Sequence, residues 1–122
     1  MNRLTDPAET ASVAGQVFLD RLAHLRRRFV ERAREDAAAF RALRDRRRAG
    51  EPLEGELLLT LTRRAHALAG SAGVFGFEPL SEAAHRLERM LRGPEAGEAE
   101  LEPLFDRLDA ELSALDSADP TT

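Results

Sequence analysis

From Val17 to about Arg48 the apolar side chains recur every three or four residues: Phe18, Leu22, Leu25, Phe29, Ala33, Ala37, Phe40 and Leu43. That spacing follows the 3.6-residue turn. It predicts one long amphipathic helix, or two joined end to end near Arg32 to Asp36, where the stripe weakens. No proline interrupts it, and Ala49-Gly50-Glu51-Pro52 ends it with glycine and proline punctuation. A second helix is predicted from about Glu54 to Phe75. Gly76 then occupies a left-handed C-terminal position, with Phe77 folding back onto the last turn. Pro79 opens a third helix, 79–92, whose stripe is Leu80, Ala84, Leu87 and Leu91, and Gly93-Pro94 closes it. A fourth, about 97–115, carries Leu101, Leu104, Phe105, Leu108, Leu112 and Leu115. Nothing alternates as a strand does.

Short connections between stripe-bearing helices make antiparallel neighbours. The fold class is therefore all-α, an antiparallel four-helix bundle, to which the N-terminal region can add a short capping helix. One domain is expected over residues 12–115, with flexible ends at 1–11 and 116–122.

Residues 65–77, AHALAGSAGVFGF, place Gly70 and Gly73 inside the second helix, where each costs roughly 1 kcal/mol relative to alanine. At about 100° per residue, Leu61, Ala65, Leu68 and Ala72 share one arc, the core face. His66 lies about 140° from the centre of that arc and should face water. Thr62, Arg63, Ala69, Gly70 and Gly73 share its side of the helix. The glycines lower the surface beside the imidazole, which suits the close approach of another protein's backbone.

Composition narrows the chemistry. The chain has 122 residues and no cysteine, so disulfides, thiolate metal sites and cysteine nucleophiles are excluded. Without tryptophan or tyrosine it lacks stacking platforms for single-stranded nucleic acid. A formal net charge of −4 argues against general nucleic-acid binding. Arginines crowd residues 21–48, with triplets at 26–28 and 46–48, but Glu31, Glu35, Asp36 and Asp45 interleave with them as on a solvated, ion-paired face. His24 and His85 read as solvated or bridging histidines, and no metal site is expected. The start MNRLTDPAETAS does not read as a signal peptide, and no apolar run is long enough for a membrane span. A cytoplasmic location is the expectation.

The segment HALAGSAGVFGFEPL resembles the signature of histidine-containing phosphotransfer (HPt) domains, roughly His-x-Leu-Lys-Gly-Ser-x-x-x-Leu-Gly and a further helix. His66, Leu68, Gly70, Ser71 and Gly76 match in place, Phe75 stands at the usual leucine, and the Leu87-Glu88 pair fits the next helix. The resemblance implies that His66 is a phosphoacceptor exchanging a phosphoryl group with the aspartate of a response-regulator receiver domain, in a phosphorelay fed by a sensor (hybrid) histidine kinase. It also implies that the chain has no cofactor of its own, Mg²⁺ belonging to the partner receiver. The chain would be a phosphocarrier rather than a kinase, as no glycine-rich nucleotide loop is present. Thr62, Ala69, Gly70 and Gly73 would then meet the receiver. Where the family usually has lysine, three residues after the histidine, this chain has Ala69, and it contains no lysine anywhere. Arg63 is the expected substitute cation, with Arg64 pointing further toward the flank. A second reading keeps the bundle and the docking but not the phosphate: a binding-only module for a receiver or kinase.

Overall fold

The structure, a computed structural model, describes residues 7–93 and 98–118. Four helices follow one another: α1 (Pro7–Arg48), α2 (Gly55–Val74), α3 (Glu78–Arg92) and α4 (Glu98–Ala118). Cross-helix pairs fix their directions. Asp36 meets Arg64 and Phe29 meets Phe75 between α1 and α2. His66 meets Glu88 and Ala69 meets Ser81 between α2 and α3. Arg41 meets Asp109 and Arg48 meets Glu102 between α1 and α4. In each pair numbering rises on one helix as it falls on the other, so the bundle is antiparallel. Of the expected flexible ends, 1–6 and 119–122 lie outside the described residues, and the described parts of both are helical in backbone.

The predicted stripes form one core. Phe29, Val30, Ala33, Ala37, Phe40 and Leu43 from α1 meet Leu61, Ala65, Leu68 and Ala72 from α2. Leu80, Ala84, Leu87 and Leu91 from α3 and Leu101, Phe105, Leu108, Leu112 and Leu115 from α4 complete it. Among these, Leu61, Leu87 and Leu108 have no exposed surface. The turn after α2 follows the predicted chemistry. Gly76 has φ +81°, its N–H donates to the Gly73 carbonyl and the Phe77 N–H donates to that of Ala72. That pair of bonds satisfies carbonyls the helix end would otherwise orphan. It turns the Phe77 ring back onto Phe29, 5.6 Å away in a stacked arrangement.

Two expectations need correction. α1 is one continuous helix from Pro7, so the two-helix alternative and a separate capping helix do not occur among the described residues. Phe18, Leu22 and Leu25, expected in the core, are exposed, Phe18 by 65%. The cause is length. α1 has 42 residues against 20, 15 and 21 for its neighbours, so its first turns run past the end of the bundle. Phe29, stacked 5.5 Å from Phe75, marks the last level at which α2 covers it.

The second half of α1 is tied to α4 by charge. Arg41 reaches Asp109 at 2.5 Å, Arg44 reaches Asp106 at 3.5 Å, and Arg48 pairs with Glu102. Of the 46–48 arginines, Arg47 and Arg48 face the acidic fourth helix, whereas Arg46 pairs with Glu51 just past the end of α1. Such exposed pairs stabilise weakly one by one and act here mainly to orient the helices. Asp36 is the buried exception. Burial raises its pKa above the ordinary carboxylate value, and the Arg64 guanidinium, bonded at 2.7 Å, only partly offsets that.

Candidate functional site

Leu61, Ala65, Leu68 and Ala72 anchor α2 in the core, which rotates His66 to the surface, its side chain 69% exposed. The ring leans toward α3. Its Nδ1 lies 2.8 Å from Oε2 of Glu88, and Glu88 itself is only 5% exposed. A buried carboxylate is costly unless hydrogen-bonded and neutralised. Glu88 is both, because Arg92 donates from Nε to the same Oε2 at 2.8 Å, and His85 Nδ1 lies 3.6 Å from the other oxygen. Burial by itself raises the pKa of Glu88, but the hydrogen bonds from Arg92 and His66 outweigh it and hold the carboxyl below its ordinary value.

That ionisation state assigns the histidine tautomer. An ionised carboxylate only accepts, so Nδ1 of His66 carries the proton and donates. The lone pair of the neutral ring is then on Nε2, on the edge turned away from Glu88. The site is an exposed imidazole whose tautomer and ring plane are set by a buried acid, and that acid is held in turn by an arginine.

The expected docking residues divide. Gly70 is exposed, and a Cβ added there would have nothing within 4 Å. Gly73 is exposed as well, though an added Cβ would touch the Ser81 hydroxyl at 3.4 Å. Thr62 and Ala69 do not share that exposure: they are buried, at 6% and 8%. Both lie between the histidine and the core on the side that α3 covers. The Ala69 carbonyl accepts from Ser81 Oγ at 2.7 Å, and the Thr62 hydroxyl donates back to the Leu58 carbonyl at 2.7 Å. The surface beside the imidazole is thus made by Gly70 and Gly73 from α2 and by exposed His85 and Arg92 from α3.

The expected cation is placed differently as well. Arg63 lines a groove between α1 and α2 with Arg32, Asp36 and Arg64, whereas His66 leans the other way. Arg64 is committed to Asp36, in line with its expected flank position. Arg92 is the guanidinium that shares an oxygen with the histidine. Sequence reasoning missed Glu88 and Arg92 as site residues, although a signal was present. Glu88 stands one turn beyond Ala84 and beside Leu87 on the buried stripe of α3, where an acid demands a partner.

A family model, the Hpt domain, matches residues 24–118. The chain belongs to the Hpt domain family. No curated protein and no solved structure matches it. Hpt domains are phosphocarrier modules of two-component signalling that work between histidine kinases and receiver domains. The matched span holds all four helices of the bundle and leaves out the first turns of α1. Among the described residues of this Hpt domain, no helix is long and apolar enough to cross a membrane, and no cluster of three His, Asp or Glu side chains is arranged to hold a metal ion.

Proposed function

We propose that this Hpt domain accepts and donates a phosphoryl group at Nε2 of His66, exchanging it with the aspartate of a receiver domain in a relay fed by a histidine kinase. The observation that carries the reading is the exposed imidazole with its Nδ1 held by buried Glu88. In the forward step Nε2 attacks the phosphorus of the receiver's aspartyl phosphate. The N–P bond forms, the P–O bond to the aspartate breaks, and the carboxylate leaves with the bonding pair. The Nδ1 proton stays on the ring, which becomes cationic, and Glu88 faces that charge. Such transfer asks for in-line positioning and for stabilisation of charge spread over the phosphoryl oxygens. Mg²⁺ in the partner receiver is expected to supply most of the second requirement.

Arg92 supplies the cation that Ala69 does not. Both His66 Nδ1 and Arg92 Nε lie 2.8 Å from one oxygen, so the guanidinium stands beside the ring with donors left over. Charge-assisted contacts to phosphate are roughly twice as strong as neutral ones. Arg92→Ala should slow transfer or shorten the phosphohistidine lifetime on the order of 10-fold. Arg63→Ala should change either by less than about 2-fold. Rapid-quench measurement of both variants checks the assignment, and the opposite ranking would return the role to Arg63.

Incubation with phosphorylated receiver domains, followed by acid and base treatment, tests the function itself. The expected product is an acid-labile, base-stable label on this chain. The binding-only alternative draws its support from Ala69 and predicts receiver binding with no label. Exposed Gly70 offers a separate check on docking. Gly70→Leu removes a glycine from a helix and meets no neighbour, so the fold should keep its stability. Bulk beside the imidazole should still weaken receiver binding by about 10-fold, or roughly 1.4 kcal/mol. Calorimetric titration with equal affinities for wild type and variant would remove the glycines from the interface.

A further inference from the structure

Two arginines on facing helices have no task at the phosphoacceptor. Arg32 of α1 and Arg63 of α2 line one groove of about 330 Å³ between those helices, together with Arg64, Asp36, Thr60 and Ser71. Buried Phe29 and Leu68 give it an apolar floor. Neither Arg32 nor Arg63 pairs with a carboxylate among the described residues, whereas Arg41, Arg44, Arg48, Arg64 and Arg92 all do.

Asp36 is the unusual member of the groove. Its side chain is only 10% exposed, and one carboxylate oxygen accepts from Arg64 at 2.7 Å. The other oxygen bonds nothing among the described residues, although Asp36 is part of the groove wall. A buried polar atom without a partner is costly, and native proteins leave few of them. Three guanidiniums and one carboxylate also leave the walls with an excess of two positive charges. The excess asks for an anion, and the free oxygen of Asp36 asks for a donor.

We propose that this groove binds a small phosphomonoester that also carries a hydroxyl group. The phosphate is close to a dianion at neutral pH, so it matches the excess charge, which a single carboxylate does not. Arg32 and Arg63 hold it from the two helices, since planar guanidiniums suit phosphate oxygens and have donors to spare. The exposed hydroxyls of Thr60 and Ser71 can donate to the remaining oxygens. The ligand's own hydroxyl donates to the free oxygen of Asp36, and its carbon skeleton covers Phe29 and Leu68. Volume limits its size. At about 30 Å³ per water the groove holds roughly eleven waters, which a ligand of about ten non-hydrogen atoms would displace.

The groove is distinct from the phosphoacceptor site. Arg63 and Ala67 flank His66 in sequence but line the groove toward α1, while the imidazole leans toward α3. None of the residues around the ring lines it: Gly70, Gly73, His85, Glu88 and Arg92 all lie elsewhere. Binding here does not depend on whether His66 carries phosphate.

NMR titration of the full chain with glycerol 3-phosphate tests the site. Saturable shifts are expected at Thr60, Arg63, Arg64 and Ser71, with a Kd on the order of 1 mM. Ethyl phosphate, which has no hydroxyl for Asp36, should bind about 10-fold more weakly, and glycerol alone should not bind. Arg32→Gln and Arg63→Gln, both at exposed positions, should each weaken glycerol 3-phosphate about 10-fold with unchanged helicity by circular dichroism. No saturable shift up to about 20 mM overturns the proposal. Shifts confined to His66, His85 and Arg92 overturn it in favour of phosphate at the phosphoacceptor. Equal affinity for ethyl phosphate overturns the hydroxylated class and the part given to Asp36, and binding unchanged in both arginine variants overturns the location.

Discussion

His66→Gln should accept no label from a phosphorylated receiver, a loss of at least 1,000-fold that leaves only background. Glutamine keeps much of the size and polarity of the imidazole but has no nucleophilic nitrogen, since its amide lone pair is delocalised. The ring is exposed and outside the core, so the bundle should unfold at nearly the same temperature. The variant should still bind the receiver, because Gly70 and Gly73 are untouched. Retained binding with lost transfer separates the phosphoacceptor from a structural role. Label transfer that survived the substitution would move the acceptor elsewhere, with His85 the next histidine to examine.

Glu88→Ala should be the most damaging change that leaves the nucleophile in place. It removes the acceptor that holds Nδ1–H, frees the ring to adopt the other tautomer, and leaves nothing to face the cationic ring as the N–P bond forms. Partners that orient an imidazole in this way are worth about 10–100-fold where they have been removed from comparable sites. The upper end is expected here, because the carboxylate is buried and Arg92 loses its anchor too. Glu88→Gln is the informative companion. It keeps an oxygen that can accept from Nδ1 but not the charge, so it should recover ring orientation and only part of the rate. Single-turnover rates of the two variants, read beside NMR of the imidazole nitrogens, distinguish orientation from charge.

The same carboxylate sets a pH dependence. The pKa of Glu88 in the folded protein lies below its ordinary value, so its contribution to stability is fully present above the ordinary carboxylate range. It is lost as pH falls through the depressed folded-state pKa. Asp36 acts in the opposite direction: with its folded pKa raised, it opposes folding at neutral pH and ceases to do so once protonated. Thermal unfolding of wild type and Glu88→Gln should therefore differ most near neutrality and converge in acid. A gap that stayed constant with pH would mean that the charge of Glu88 contributes nothing to folding.

How far the chain could be read before folding depends on the range of the interaction involved. The helices, their ends and their buried faces follow from spacing within single turns. Gly76 and Phe77 close α2 as their neighbours dictate, and Leu61, Ala65, Leu68 and Ala72 bury themselves because they are apolar and share an arc. By the same arithmetic His66 points outward. None of this requires a second helix.

Whatever depends on which helix lies beside which was decided only by tertiary structure. Thr62 and Ala69 share a side of α2 with the histidine, but α3 packs there and buries them. One-helix geometry tells which residues are neighbours, and the packing partner tells which are covered. Arg63 is closer to His66 in sequence than Arg92, yet Arg92 sits on the helix toward which the ring leans and meets it across Glu88. The apolar stripe of α1 foretold a long buried face. Its outer half is bare because the neighbouring helices are about half as long, and burial is a property of two surfaces whereas periodicity is a property of one. The sequence by itself determined four helices and an outward histidine. The antiparallel packing of α2 against α3 decided the acid that sets the tautomer of that histidine and the arginine that holds the acid.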